Sequence, residues 1–151
     1  MLDIHRQKQR LDELFKRASD MTDAELQSHW CRYLCVLVSG FIENSVEYCL
    51  AEYSRRRSNE NVSNFIQAKL VSFQNPKMGA ILELFGSFNA EWRERLEKAT
   101  QGQLSDSVNS IIGNRHKIAH GDSVSLSLNS LKTYYADAII VVGLLCDICG
   151  V

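Results

Sequence analysis

The chain has 151 residues, 45% hydrophobic and 23% charged, the balance of a soluble globular domain long enough to bury a core without disulfide staples. Its formal net charge of −1 excludes broad electrostatic coating of nucleic acid but leaves room for a local basic patch. With one proline and eight glycines there is no sign of a long flexible linker, and a single domain over residues 1–151 is expected.

The first segment, about Asp3 to Ser19, sets Leu11, Leu14, Phe15 and Ala18 at helical spacing among polar residues, the pattern of a surface helix with one buried stripe. Thr22, with Glu25 three residues on, has the form of a capping box and opens a proline-free stretch that runs to Arg56. Along it Trp30, Tyr33, Leu34, Leu37, Val38, Phe41, Ser45 and Tyr48 keep helical spacing. Cys31, Cys35, Ile42, Val46, Cys49 and Leu50 make a second side apolar, so this long helix is expected at the centre of the fold or at a subunit interface. Glu43 and Asn44 lie within this apolar company, where a carboxylate needs a partner; solvent, a structural arginine and a site are all open for Glu43. Arg55, Arg56 and Arg57 read as a solvated helix end that complements the dipole, with a phosphate-contacting patch as the alternative.

A third segment, about Asn59 to Phe73, carries Val62, Phe65, Ile66, Leu70 and Phe73 as a buried stripe. Asn75 and Pro76 then read as a helix cap and first-turn proline, followed by a short helix through Met78, Ile81, Leu82 and Phe85 that breaks over Gly86 to Phe88. Asn89 caps a polar helical stretch from Ala90 to Ala99, with Trp92 and Leu96 as its large apolar groups. A helix from about Ser105 to His120 follows, then a polar loop from Gly121 to Ser125. The last segment, to Cys149, is apolar nearly all round and belongs in the core or at an interface. The alternation from Ser123 to Leu128 is too short for a strand and reads as loop. These elements add up to an all-α bundle of five to six helices.

The N-terminus lacks an apolar signal core, and the most apolar run, Ala136 to Cys149, is too short and too interrupted by Asp137 and Asp147 for a comfortable membrane span. A cytoplasmic protein with no membrane partner is the expectation. The five cysteines, an odd number, fit buried thiols better than a disulfide framework. Cys146-x-x-Cys149 lacks the second Cys/His pair of a zinc finger.

The most distinctive stretch is Gly113 to Gly121. Arg115, His116, Lys117 and His120 fall within six positions with no carboxylate among them. On a helical wheel at about 100° per residue, Arg115 lies in the middle of the stripe formed by Leu104, Val108, Ile111, Ile112 and Ile118. A buried guanidinium needs acceptors: a carboxylate such as Glu43, backbone carbonyls, or a bound phosphate. His120 is about 140° away from Arg115 on a straight helix, and Gly121, a natural terminator, would release it from the last turn. His116 and His120 share a face at i, i+4, a spacing that suits a metal, but Asp122 is the one further ligand nearby and no His-Glu-x-x-His signature is present.

Arg115-His116-Lys117-Ile118-Ala119-His120 resembles the R-x4-6-H motif of the HEPN superfamily, commonly seen as R-N-x-x-A-H-G. The motif's place near the end of the penultimate helix agrees, and Ser39 to Asn44 looks like the RiboL-PSP-type group of that superfamily. His116 stands where Asn is the commoner choice. The resemblance implies a homodimer with a composite active site that cleaves RNA without metal or cofactor. Attack by the ribose 2′-OH would leave 2′,3′-cyclic phosphate ends. Arg115 and His120 would be catalytic, and Asn114, His116, Lys117, Glu43 and Asn44 would support them or contact phosphate. It also implies a toxin or antiviral defence effector, with an antitoxin or regulatory protein as a further partner. HEPN-like domains without activity exist, so a non-catalytic dimerisation or nucleotide- or RNA-binding module is the alternative.

Overall fold

A computed structural model describes residues 2–151, with side chains from Ile4 onward. Those residues form seven α-helices and no strand: α1 (Leu2–Ser19), α2 (Ala24–Arg57), α3 (Glu60–Leu70), α4 (Met78–Phe88), α5 (Ala90–Thr100), α6 (Gln103–Ala119) and α7 (Leu128–Cys149). The all-α expectation holds, with seven helices where five to six were expected, and α4 runs on through Gly86 to Phe88 rather than breaking there. Asn89 alone separates α4 from α5. Its extended backbone donates to Phe85 O at 3.0 Å while its side chain accepts from Glu91 N at 2.8 Å, so one residue ends one helix and starts the next.

One hydrophobic cluster takes residues from all seven helices. α2 is its axis, at 34 residues roughly 50 Å long, and packs against α1, α3, α6 and α7. Its N-cap is Asp23 rather than Thr22: Asp23 Oδ1 accepts from Leu26 N at 3.0 Å. By length and composition α2 could cross a membrane. Yet 56% of its most apolar window is buried inside the fold. At its far end the arginine run is partly neutralised. Glu52 accepts from Arg55 at 2.8 and 2.7 Å and from Arg56 at 2.7 Å, and together they hold the Glu52 carboxyl down at about 2.

The stripe expected on α3 is not buried as a whole. Leu70 reaches the core and Ile66 and Phe73 are half-buried, whereas Phe65 is 62% exposed and Val62 44%. Helical spacing fixes which residues share a face. It does not fix how far a short helix at the edge of a bundle presses that face inward.

The turn between α3 and α4 also departs from the expected cap. Asn75 is not the N-cap; its backbone takes a left-handed φ of 50°, and α4 starts at Met78 after Lys77, which makes no side-chain cap bond. The capping oxygen comes from another helix, as Asn109 Oδ1 of α6 accepts from Met78 N at 2.9 Å. On the other side Glu43 Oε2 of α2 accepts from Asn75 N at 2.6 Å. The buried Pro76 sits between these two anchors.

α7 closes the bundle along α2 and α6. Tyr135 stacks on Phe15 with ring centroids 4.7 Å apart and donates its hydroxyl to Asp12 of α1 at 2.8 Å. Burial, reinforced by that bond, pushes its phenol well above the ordinary value. The buried Asp137 accepts from Ser107 Oγ at 2.6 Å and Gln103 Nε2 at 3.0 Å, tying α7 to the first turns of α6. The segment Ser123 to Ser127 is loop, as expected, and is pinned where Cys31 Sγ donates to Leu126 O at 3.5 Å.

Candidate active site

The site is built on the last two turns of α6. Their inner side is held by Val108, Ile111 and Ile112, all buried. Cys35 Sγ of α2 donates to Ile111 O at 3.5 Å, and Asn114 Nδ2 turns back onto Ser110 O at 2.8 Å, so Asn114 supports its own helix. Beyond Ile112 the core runs out: Ile118 is half-buried, and His116, Lys117, Ala119 and His120 are exposed.

Arg115 is therefore half-buried, not enclosed, although it continues the line of the buried residues. The wheel fixes its direction. With Ile118 half-buried and Ala119 exposed beyond it, a long side chain at this position can lay its methylenes along apolar surface and carry the charge to the rim. Among the described residues it has no carboxylate partner; the ion pairs are Lys8 with Asp12 and Arg55 and Arg56 with Glu52. Glu43, the partner considered from the sequence, gives an oxygen to Asn75 N instead. Asn44 is exposed and donates to Gln7 Oε1 of α1 at 3.2 Å, so neither residue is hydrogen-bonded to the α6 motif among the described residues.

His116 and His120 meet. Their ring centroids are 4.4 Å apart with the planes at 63°, an edge-on imidazole pair open to solvent. Gly121 does end the helix, with φ 76°. Asp122 N donates to Lys117 O at 2.9 Å and Gly121 N to Ile118 O at 3.1 Å, the two bonds of a Schellman motif. That closure does not release His120, contrary to the expectation: its own N–H still bonds to His116 O at 3.2 Å, which keeps the two rings in register. No group of three or more His, Cys, Asp or Glu side chains with metal-holding geometry occurs among the described residues, so Asp122 does not complete a ligand set with the histidine pair.

A family model for RiboL-PSP-HEPN matches residues 2–150, nearly the whole chain. The chain belongs to the RiboL-PSP-HEPN family. No curated protein and no solved structure matches it.

Within this HEPN domain one residue beside the motif escaped the sequence reading. Asn109, Gly113, His116 and His120 fall within about 60° of one line along α6. The Asn75–Met78 turn, held by Asn109, thus stands on the histidine face, about 10 Å along the axis from His116. Between them lies Gly113, where an added Cβ would meet nothing within 4 Å. The face is an open strip with a pinned turn at one end and two imidazoles at the other. The wheel alone could have aligned Asn109 with the histidines; its use as a cap for α4 needed the tertiary fold.

Proposed function

We propose that this protein is a metal-independent endoribonuclease acting as a homodimer. One observation carries the reading: a half-buried Arg115, without a carboxylate partner among the described residues, ends the same helix as an exposed pair of imidazoles. A guanidinium with no carboxylate beside it can donate two parallel N–H bonds to a phosphate, and imidazole is the side chain best suited to move protons near neutral pH. HEPN domains are generally nucleases, commonly bind RNA and dimerise, which supports the same reading.

In the reaction we assign, a ribose 2′-OH attacks the adjacent phosphorus. One imidazole takes the hydroxyl proton and another protonates the departing 5′ oxygen, so a 2′,3′-cyclic phosphate and a 5′-OH result. Arg115 stabilises charge that builds on the non-bridging oxygens. Arg115 and His120 diverge by about 140° around one helix, so a composite cleft between two chains joins Arg115 of one motif with His120 of the other. His116 holds His120 edge-on and is the nearest second proton carrier. Lys117 contacts the phosphate backbone, with Asn114 bracing the turn beneath. Glu43 acts at one remove by fixing the Asn75 turn, and Asn44 by joining α2 to α1. A toxin or defence effector restrained by a partner protein is the setting we propose, since an unrestrained ribonuclease damages the RNA of its own cell.

The test is incubation of the purified protein with single-stranded RNA in EDTA, with analysis of the ends. Cyclic phosphate and 5′-OH termini that disappear with His120→Ala are expected. Intact RNA that is nevertheless retained by the protein would favour the non-catalytic binding module instead.

A further inference from the structure

α2 and α7 meet at a pair of thiols that this reading does not use. Cys49 Sγ and Cys146 Sγ lie 3.3 Å apart although the residues are 97 positions apart in the chain. A disulfide needs the sulfurs at about 2.05 Å, a further approach of roughly 1.2 Å. The two cysteines differ in access: Cys49 is wholly buried, whereas Cys146 is half-buried and reachable from solvent. Cys149, one turn on from Cys146, is buried and its thiol is pushed up to about 12, by burial first and by Cys146 second. The nearest cysteine to Cys146 in the chain is Cys149, but the structure gives Cys146 a thiol contact on another helix.

We propose that Cys49 and Cys146 are a reversible oxidation site that peroxide closes into a disulfide between α2 and α7. The geometry assigns an order to the two thiols. Cys146, the accessible one, reacts first: its thiolate sulfur attacks one peroxide oxygen, the O–O bond breaks, and the departing hydroxide is protonated to water. Cys146 is then a sulfenic acid. The sulfur of Cys49 attacks the sulfur of Cys146 and gives up its proton; the S–O bond breaks and a second water leaves. Two thiols and one peroxide become one disulfide and two waters. A small thiol reductant reverses this by exchange at the exposed Cys146 side. The contact between the two thiols supports the first step: with Cys49 as the donor, it draws the Cys146 thiol below its ordinary value against the opposing effects of burial and of Asp147.

The experiment treats the reduced full-length protein with increasing hydrogen peroxide, then combines thiol counting with peptide mapping under non-reducing conditions. Two of the five thiols should be lost together, with a peptide linking Cys49 to Cys146 that dithiothreitol separates. Oxidation should also raise the melting temperature. In Cys49→Ser the sulfenic acid at Cys146 should persist and be trapped by dimedone, while in Cys146→Ser residue 49 should stay unmodified. A Cys146–Cys149 link, an intermolecular link, sulfinic acid at Cys146 beside an intact Cys49 thiol, or no thiol loss would overturn the proposal. The wild-type peptide map decides this even if a variant fails to fold.

Discussion

α6 and α7 end in the same way and do different things. Each stops at a left-handed glycine, Gly121 with φ 76° and Gly150 with φ 66°. Each is closed by the same pair of backbone bonds: Asp122 N to Lys117 O and Gly121 N to Ile118 O in one, Val151 N to Cys146 O and Gly150 N to Asp147 O in the other. At the end of α7 the neighbours take up what is offered. Arg56 of α2 donates to Gly150 O at 3.2 Å, and Cys146 meets Cys49. At the end of α6, Arg115 has no carboxylate partner among the described residues, and the two histidines have each other and solvent. The glycine sets the shape of a helix end; whether that end is sealed or left open depends on what the next helix brings to it.

The largest effect should come from removing what the open end of α6 displays. His120→Ala should slow RNA cleavage by about 10²–10⁴-fold, the usual weight of a general acid–base group. As His120 is exposed, the melting curve should move by no more than about 0.5 kcal/mol equivalent. A large loss of stability with that substitution would mean the end of α6 is structural like that of α7. The two glycines offer a matched pair. Gly121→Ala and Gly150→Ala should each cost about 1 kcal/mol in urea unfolding, because each forces an L residue into left-handed backbone. Cleavage should fall in the first and not in the second; equal effects on activity would erase the distinction.

Glu43→Gln should be milder still. It keeps an acceptor for Asn75 N but removes its charge, for a loss of about 1 kcal/mol in unfolding free energy. It should lower the cleavage rate by loosening the turn beside the histidine face. An unchanged rate with reduced stability would limit Glu43 to the fold. The smallest effect belongs to the sealed end. The Glu52 carboxyl, held at about 2 by Arg55 and Arg56, sits below its ordinary 4.5, so it contributes stability above that ordinary value and loses it as the pH falls toward 2. The two arginine partners are largely exposed, so solvent screens the pairs and the loss is small. Wild type and Glu52→Gln should therefore show urea midpoints that converge on acidification, and a difference constant down to pH 2 would remove Glu52 from the account.

Much of this was legible along the chain because its causes are local. Apolar residues at helical spacing define α1, α2, α6 and α7, and glycines 121 and 150 end two of them through bonds that span at most five residues. The arginine and two histidines of α6 were visible in the same way, since residues at i and i+4 on a helix are neighbours whatever surrounds them. Caps were less secure. Thr22 and Asp23 are adjacent candidates, and it is Asp23 that holds the bond to Leu26 N.

The amino-acid sequence by itself determined an all-helical chain and the face of α6 on which His116 and His120 meet. Only the tertiary structure decided that Arg115 emerges half-buried and that Phe65 stays exposed. Only it supplied Asn109 as the cap for α4 and paired Cys146 with Cys49 rather than with Cys149. The reason is physical. Helical periodicity fixes the direction in which a side chain points, but burial, capping from a distance and thiol contact depend on which other helix stands in that direction and how near it comes.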